Sequence, residues 1–335
     1  MSDVPAGGSG GAVSVVAPDG LPEVTAGDDL AELLVDLLTG RSGLVDGDVV
    51  VITSKVVSKA EGQVVAGERD DWIDAETVRD VARRGPTRIV RNRLGLTMAA
   101  AGIDASNVAA GSVVLLPSDP DASARALRAG IAERTGANVA VVVTDTAGRA
   151  WREGQTDIAI GAAGLRVLES FEGRTDAHGN PLLVTAPAVA DEIAGAAELA
   201  QGKLAARPCA VVRGRADLVL PRGEDGTGAA ALIRADGADM FGYGAREAVV
   251  TAVVGDPATQ APFGAPAPLG DLVTALARAG ITSTTIAEDL VRCPATQRVA
   301  VEILAFAHGW RAEPSPEVPG GTSGDTEIQL LPGTP

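Results

Sequence analysis

Apolar residues along the chain change period several times, and each change marks an element. GGAVSVVA (10–17) offers a short strand, and Asp28 can cap the amphipathic run DLAELLVDLL, which stops at Gly40. DGDVVVITS (46–54) is a turn feeding an apolar, β-branched strand. ETVRDVARR (76–84) reads as helical and TRIVRN (87–92) as extended, and DPDASARALRAGIAER (119–134) is a helix with Asp119 or Asp121 at its start. NVAVVVT (138–144) is the most apolar strand of the chain, and its unbroken run predicts burial on both faces. An Ala-rich helix over 188–205 precedes a further strand, PCAVVRG (208–214). Alternation of this kind predicts a mixed α/β or α+β body over residues 12–245.

The flanks differ from this body. Residues 1–11 are small and Gly/Ser-rich, too poor in apolar side chains to order themselves. After residue 245 comes a Pro/Gly linker, then LGDLVTALARAG and ATQRVAVEILAFAHGW, which predict a small helical appendage over 246–312. Residues 313–335 are Pro/Gly-rich and read as a disordered tail.

Composition narrows the function classes. With 46% hydrophobic and 21% charged residues, the chain is an ordinary globular one. Its net charge of −16 and 2% aromatic content argue against a nucleic-acid surface, which needs a basic face and stacking rings. Net charge says nothing about a small anionic ligand, which a few local cations and a metal ion decide. Arg is preferred to Lys, which follows from a GC-rich genome and receives no further weight. There is no secretory start and no apolar run long enough to span a bilayer, so a cytoplasmic protein is expected. Cys209 and Cys293 form no CxxC or Cys/His cluster, which speaks against a zinc site or disulfide framework.

Standard nucleotide and hydrolase signatures are missing: no GxxxxGK[ST], no GxGxxG between strand and helix, no GxSxG. Four polar clusters stand out instead. In TSKVVSK (53–59), Ser54 and Lys55 end a strand and can face phosphate oxygens, although composition alone reads them as a solvated strand end. In AAGIDASNV (100–108), Asp104 and Asn107 form a turn by default, or else supply a metal-binding carboxylate and an amide. TDTAGRAWREGQTDIAIG (144–161) places Asp145 and Thr146 just past the most apolar strand, where open sheets bind ligands, with Arg149 and Arg152 close behind. Oxygen donors of this type suit Mg²⁺ or Mn²⁺, and guanidiniums suit a transferring phosphoryl group. Finally, Gly223, Glu224, Asp225 and Gly226 form either a surface turn or a close backbone approach to a ligand.

Taken together, GLPEV (20–24), DGDVVVITSKVVSKAEG (46–62), NRLGL (92–96), AAGIDASNV, VVVTDTAGRAWREGQTDIAIGAAG (141–164) and ADEIAGAAELAQGKL (190–204) resemble the coenzyme F-420:L-glutamate ligases. The resemblance spans roughly 12–245 and implies the γ-glutamyl ligase fold with a non-P-loop GTP site. It implies a homodimer that joins L-glutamate to the deazaflavin precursor coenzyme F-420-0 at the expense of GTP, with two Mg²⁺ or Mn²⁺ ions per site and K⁺ as helper. Actinobacterial relatives carry a flavin-binding, nitroreductase-like C-terminal domain; the segment after 245 is too short for one, so no flavin is expected.

Carried over by position, Leu21, Pro22, Glu23, Val24, Ser54, Lys55, Asn107, Gly223, Asp225 and Gly226 would contact GTP. Asp104, Asp145, Thr146 and Glu224 would ligate metal, and Lys55, Arg149 and Arg152 would act on the reacting phosphate or the glutamate tail. The implied chemistry passes through an acyl phosphate and needs no protein nucleophile. Another metal-dependent amide ligase or phosphoryl-transfer enzyme on the same scaffold, or a silent nucleotide-binding relative, is the alternative.

Overall fold

The computed structural model describes residues 11–39, 43–183, 185–235, 237–239, 241–314 and 324–333. They group into two compact units: the described parts of Met1–Arg79 with Ile89–Ile233, and Asp80–Arg88 with the described parts of Arg234–Pro335.

In chain order the elements begin with β1 (Ser14–Val16), α1 (Leu30–Thr39), β2 (Val49–Thr53), α2 (Ser54–Ala60), β3 (Val64–Ala66), α3 (Arg69–Glu76), β4 (Thr77–Arg84), β5 (Thr87–Asn92) and β6 (Thr97–Ala99). There follow β7 (Ser112–Val114), α4 (Pro120–Thr135), β8 (Ala140–Arg149), β9 (Arg152–Ala163), α5 (Val189–Gln201) and β10 (Cys209–Arg213). The main sheet has the order β1-β10-β2-β8-β9, and only the β2–β8 pair is parallel. The body is therefore mixed, as its alternating pattern predicts.

Two apolar cores explain why β2 and β8 read as unbroken hydrophobic runs. Val50 and Ile52 of β2, with Val141 and Val143 of β8, pack against Leu34 of α1 and Leu127 and Ile131 of α4. Val49, Val51 and Val142 point the other way, onto Ala190, Ile193 and Ala197 of α5. Both faces of the strand pair are thus covered, so a polar residue here would lose its water without gaining a partner. Asp119 caps α4, accepting from the Ala122 N–H at 2.9 Å, and Gly136 closes it at φ +73°.

ETVRDVARR corrects its helical reading. Helix α3 stops at Glu76, and Thr77–Arg84 become β4, in one three-stranded sheet with β5 and β6. β-branched Thr77 and Val78 favour extended backbone, and the Gly85–Pro86 turn, with Gly85 at φ +57°, folds the chain back.

The second unit contains α6 (Ala245–Val254), α7 (Leu269–Arg278), β11 (Thr284–Ala287), β12 (Leu290–Pro294), α8 (Arg298–Ala307), β13 (Trp310–Pro314) and β14 (Asp325–Pro332). Its strands form an antiparallel sheet, β11-β12-β14-β13, over a core of Leu272, Leu276, Val291, Val301, Ile328 and Leu330. Two expectations are corrected. The 246–312 segment is not helical alone, and 325–332 is a sheet strand rather than part of a disordered tail. Only Ile328 and Leu330 of β14 are buried, too brief an alternation to stand out among prolines. The expected disorder of 1–10, 315–323 and 334–335 lies outside the described residues.

Arg128 of α4 ties the loop 220–226 to the first unit's body. Its guanidinium, nearly buried, donates to the carbonyls of Val139, Leu220, Pro221 and Glu224, to Asn138 Oδ1, and to Asp225 Oδ1 at 2.8 Å. Arg128→Met would strand these acceptors, so the variant is expected to lose about 3–5 kcal/mol of stability in urea unfolding, the scale for breaking a buried ion pair. An unchanged midpoint would show that water replaces the guanidinium at no cost.

Candidate active site

The parallel pairing of β2 with β8 sets Thr53 opposite Thr144. The next residues, Ser54 and Asp145, therefore meet, and Ser54 Oγ donates to Asp145 Oδ1 at 3.0 Å. Ser54 begins α2, so Lys55 and Lys59 project from successive turns of one helix face. Lys55 Nζ lies 2.5 Å from Asp104 Oδ2 and 2.7 Å from Ser106 Oγ. Asp104 is held in turn by Ser106, whose N–H and Oγ donate to its two oxygens at 2.7 and 3.0 Å. Lys59 Nζ lies 2.5 Å from Glu23 Oε1.

Across the β8–β9 hairpin, Thr146 pairs with Asp157. Both oxygens of the buried Asp157 accept threonine hydroxyls, Thr146 Oγ1 at 2.8 Å and Thr144 Oγ1 at 3.2 Å. From the turn after α5, Lys203 Nζ donates to Thr146 Oγ1 at 2.7 Å and lies 3.8 Å from Glu198 Oε1. Gly202, at φ +63°, lets the chain leave the helix in that direction.

These groups surround one cleft of about 390 Å³. Of the residues singled out from sequence, Leu21, Pro22, Glu23, Val24, Lys55, Asn107 and Thr146 line it, while Ser54 and Asp145 adjoin lining residues in sequence and Asp104 is paired with Lys55. Lys59 and Asp157, within the motifs noted from sequence, line it too, as do Glu198, Gln201, Lys203 and Arg207, which sequence reasoning did not select. The overlooked signal was lysine itself. Only three of the 28 basic residues are lysines, Lys55, Lys59 and Lys203, and all three line this cleft.

Three carboxyl groups, Asp145, Glu198 and Asp104, are shifted from their ordinary values. Burial pushes Asp145 up to about 7, against the hydrogen bonds from Ser54 and the Thr146 N–H, and the charges of Asp157 and Asp104 add to the rise. Burial and the Asp157 charge also raise Glu198, opposed by Lys203. Burial would raise Asp104 as well, but hydrogen bonds from Lys55 and Ser106 outweigh it and hold the carboxyl below its usual range. Among the described residues no three His, Cys, Asp or Glu side chains converge as a ready-made metal cage. Asp104 and Asp145 lie close enough for the charge of one to raise the other.

Several expected site residues lie elsewhere. Arg149 and Arg152 flank the tip of the β8–β9 hairpin and are exposed, with Arg149 Nη2 donating to the Glu153 carbonyl. Gly223, Glu224, Asp225 and Gly226 do not line the cleft. Their loop is held by Arg128 beside Asn138 and Val139, before the start of β8, whereas Asp145 lies in its later half. Asp225 serves as the partner of a buried guanidinium, and Gly226, at φ +78°, packs against Leu220 and Leu165. The assignment of Glu224 as a metal ligand and of Gly223, Asp225 and Gly226 as nucleotide contacts is therefore not supported by their position.

Comparison with known proteins places the first unit. The model of the F420-0:Gamma-glutamyl ligase family matches residues 20–70 and 74–214, more than half of the chain. Proteins named Coenzyme F420:L-glutamate ligase are similar to this chain over more than half of its length. The one from Archaeoglobus fulgidus is 39% identical over 224 residues, 60% of this chain and 88% of the relative. The Methanothermobacter thermautotrophicus protein is 37% identical over 224 residues, 60% of this chain and 89% of the relative. That of Halobacterium salinarum is 40% identical over 212 residues, 56% and 81% of the two chains.

Because Asp145 is raised to about 7 in the fold, the folded protein keeps a proton that the unfolded chain releases near pH 4. Metal-free stability therefore falls as pH rises from about 4 to 7, and the penalty persists above 7. Asp145→Asn, which still accepts from Ser54, removes this penalty. In EDTA it is expected to be more stable than the parent at pH 8, by on the order of 2–4 kcal/mol, and equal to it near pH 4. A difference independent of pH in chemical unfolding would show that Asp145 is not desolvated. Glu224→Ala is expected to leave Mn²⁺ affinity unchanged in titration calorimetry; a tenfold loss would restore the 220–226 loop to the site.

Proposed function

This chain belongs to the F420-0:γ-glutamyl ligase family, and from that premise we propose that it joins L-glutamate to coenzyme F-420-0 by an amide bond, using GTP. The observation that carries the reading is the convergence of Lys55, Lys59, Lys203 and Thr146 on one cleft, with Asp104 ion-paired to Lys55 and Asp145 bonded to Ser54 next to it. Three ammonium groups in a chain of net charge −16 create a local field for a polyanion. The leucine and valine of Leu21–Val24 offer an apolar wall beside them for a base or ring.

An amide does not form in water from a carboxylate and an ammonium without activation. In the proposed sequence a carboxylate oxygen of F-420-0 attacks the γ-phosphorus of GTP, the bond to the β-phosphate oxygen breaks, and GDP leaves. The amino nitrogen of glutamate, having given up a proton, attacks the acyl carbon of the resulting acyl phosphate. The carbon–oxygen bond to phosphate then breaks, releasing inorganic phosphate.

Lys55 and Lys59 would hold phosphate oxygens, exchanging their present bonds to Asp104 and Glu23 for the ligand. Asp104 and Asp145 would hold a Mg²⁺ or Mn²⁺ ion, which when bound supplies positive charge to the phosphates. Ser54 fixes the orientation of the Asp145 carboxylate for that task. The exposed positions of Arg149 and Arg152 support no direct role for them in this cleft.

Incubation with F-420-0, GTP, Mn²⁺ and glutamate is expected to yield glutamylated product by mass spectrometry, with GDP and phosphate in equal amount. Lys55→Ala is expected to lower kcat/KM about 100-fold or more, the scale of one preorganised charge at a reacting centre. Excess EDTA is expected to stop turnover. Product formed with ATP but not GTP, or full activity in EDTA, would contradict the nucleotide or the metal part respectively. GTP bound without any product would leave a silent nucleotide-binding relative.

A further inference from the structure

We infer that Lys203 is a built-in cation of this site: its ammonium occupies the position at Thr146 where a second divalent ion would bind, and contacts the terminal phosphates of the nucleotide directly. The cleft then works with one metal ion, at Asp104 and Asp145. This rests on the nucleotide reading given above.

Two metal ions were expected on Asp104, Asp145, Thr146 and Glu224 together. Glu224 lies on the loop held by Arg128, away from the cleft. Thr146 has a single side-chain oxygen, which already gives its proton to Asp157 Oδ1 at 2.8 Å and accepts from Lys203 Nζ at 2.7 Å. A metal ion on its remaining lone pair would sit beside the ammonium and be repelled by it.

An ion on the neighbouring carboxylates would meet the same ammonium, because Asp157 bonds the hydroxyl that Lys203 bonds and Glu198 lies beside Lys203 itself. Both oxygens of Asp157 accept threonine hydroxyls, and Glu198 faces Lys203 at 3.8 Å. The contrast with Lys55 is instructive. Lys55 also bonds an expected ligand, Asp104, but a carboxylate has about four lone-pair sites and keeps capacity for a metal ion, as does Asp145 beside it.

Residue choice gives an independent argument. In a chain that uses arginine for nearly every positive charge, lysine is kept at three places, all in this cleft. An ammonium is a compact point charge with three rotatable donors, closer to a metal ion in size and symmetry than a planar guanidinium is. It neutralises phosphate charge as a metal ion does, and it needs no ligand set.

The test is metal stoichiometry on the full chain. Equilibrium dialysis against Mn²⁺ and β,γ-methylene GTP, with bound Mn²⁺ counted by electron paramagnetic resonance, is expected to give one tightly held ion per chain. Lys203→Met is expected to keep that ion and bind the analogue at least tenfold more weakly. Lys203→Glu, which turns the cation into a ligand, is expected to hold two. The Lys203 side chain is 65% exposed, so these changes spare the core, and circular dichroism verifies the fold. Two Mn²⁺ ions in the parent with the analogue bound, or unchanged analogue affinity in Lys203→Met, would overturn the inference alone. A parent that retains neither Mn²⁺ nor the analogue would overturn the nucleotide reading together with it.

Discussion

One pairing governs the chemistry of this protein. The parallel register of β2 on β8, Thr53 against Thr144, brings two distant stretches of chain to a common end. Ser54 and Lys55 leave one strand as Asp145 and Thr146 continue along the other, and the Ser54–Asp145 hydrogen bond joins them. The register is fixed by burial on both faces, because a slip by one residue would exchange the side chains facing α1 and α4 with those facing α5. The apolar strands that make the fold stable therefore also align the polar groups beyond them.

Those polar groups form an unevenly paired set of opposite charges. Asp104, Asp145, Asp157 and Glu198 meet Lys55 and Lys203, and burial pushes Asp104, Asp145 and Glu198 upward against whatever hydrogen bonds and ion pairs each one has. Asp104, bonded by an ammonium, is held low, whereas Asp145, bonded only by neutral donors, is raised. Such uneven pairing leaves a defined deficit of positive charge at Asp145. A site that must admit a polyanion together with a cation needs this kind of unfinished neutralisation.

Much of this was legible in the chain, and the failures have physical causes. β2, β8 and α4 were readable because long β-branched runs and an Asp–Pro helix start are strong local signals. Ser54, Lys55, Asp145 and Thr146 stand out because they follow such runs directly, and Asp104 because it shares a short turn with Asn107. Lys203, Glu198 and Gln201 do not, since they sit at the end of an Ala-rich helix whose pattern shows only a buried face. Their role depends on α5 packing across β9, which no local period encodes. Glu224 and Asp225 misled for the opposite reason: glycines and carboxylates in one loop look like a ligand cradle, yet Asp225 and the loop carbonyls answer a buried arginine 90 or more residues away. In the second unit, β14 was hidden by proline-rich flanks and by having only two buried residues.

The scarcity of lysine was visible from the start and was set aside as a matter of genome composition. That explanation accounts for why lysine is rare but not for where the remaining lysines are. The most direct test of the account is a crystal structure with Mn²⁺ and β,γ-methylene GTP. The account predicts an anomalous peak between Asp104 and Asp145 and phosphates within hydrogen-bond reach of Lys55, Lys59 and Lys203. A nucleotide bound on the 220–226 loop, or manganese density at Glu224 with the cleft empty, would contradict it.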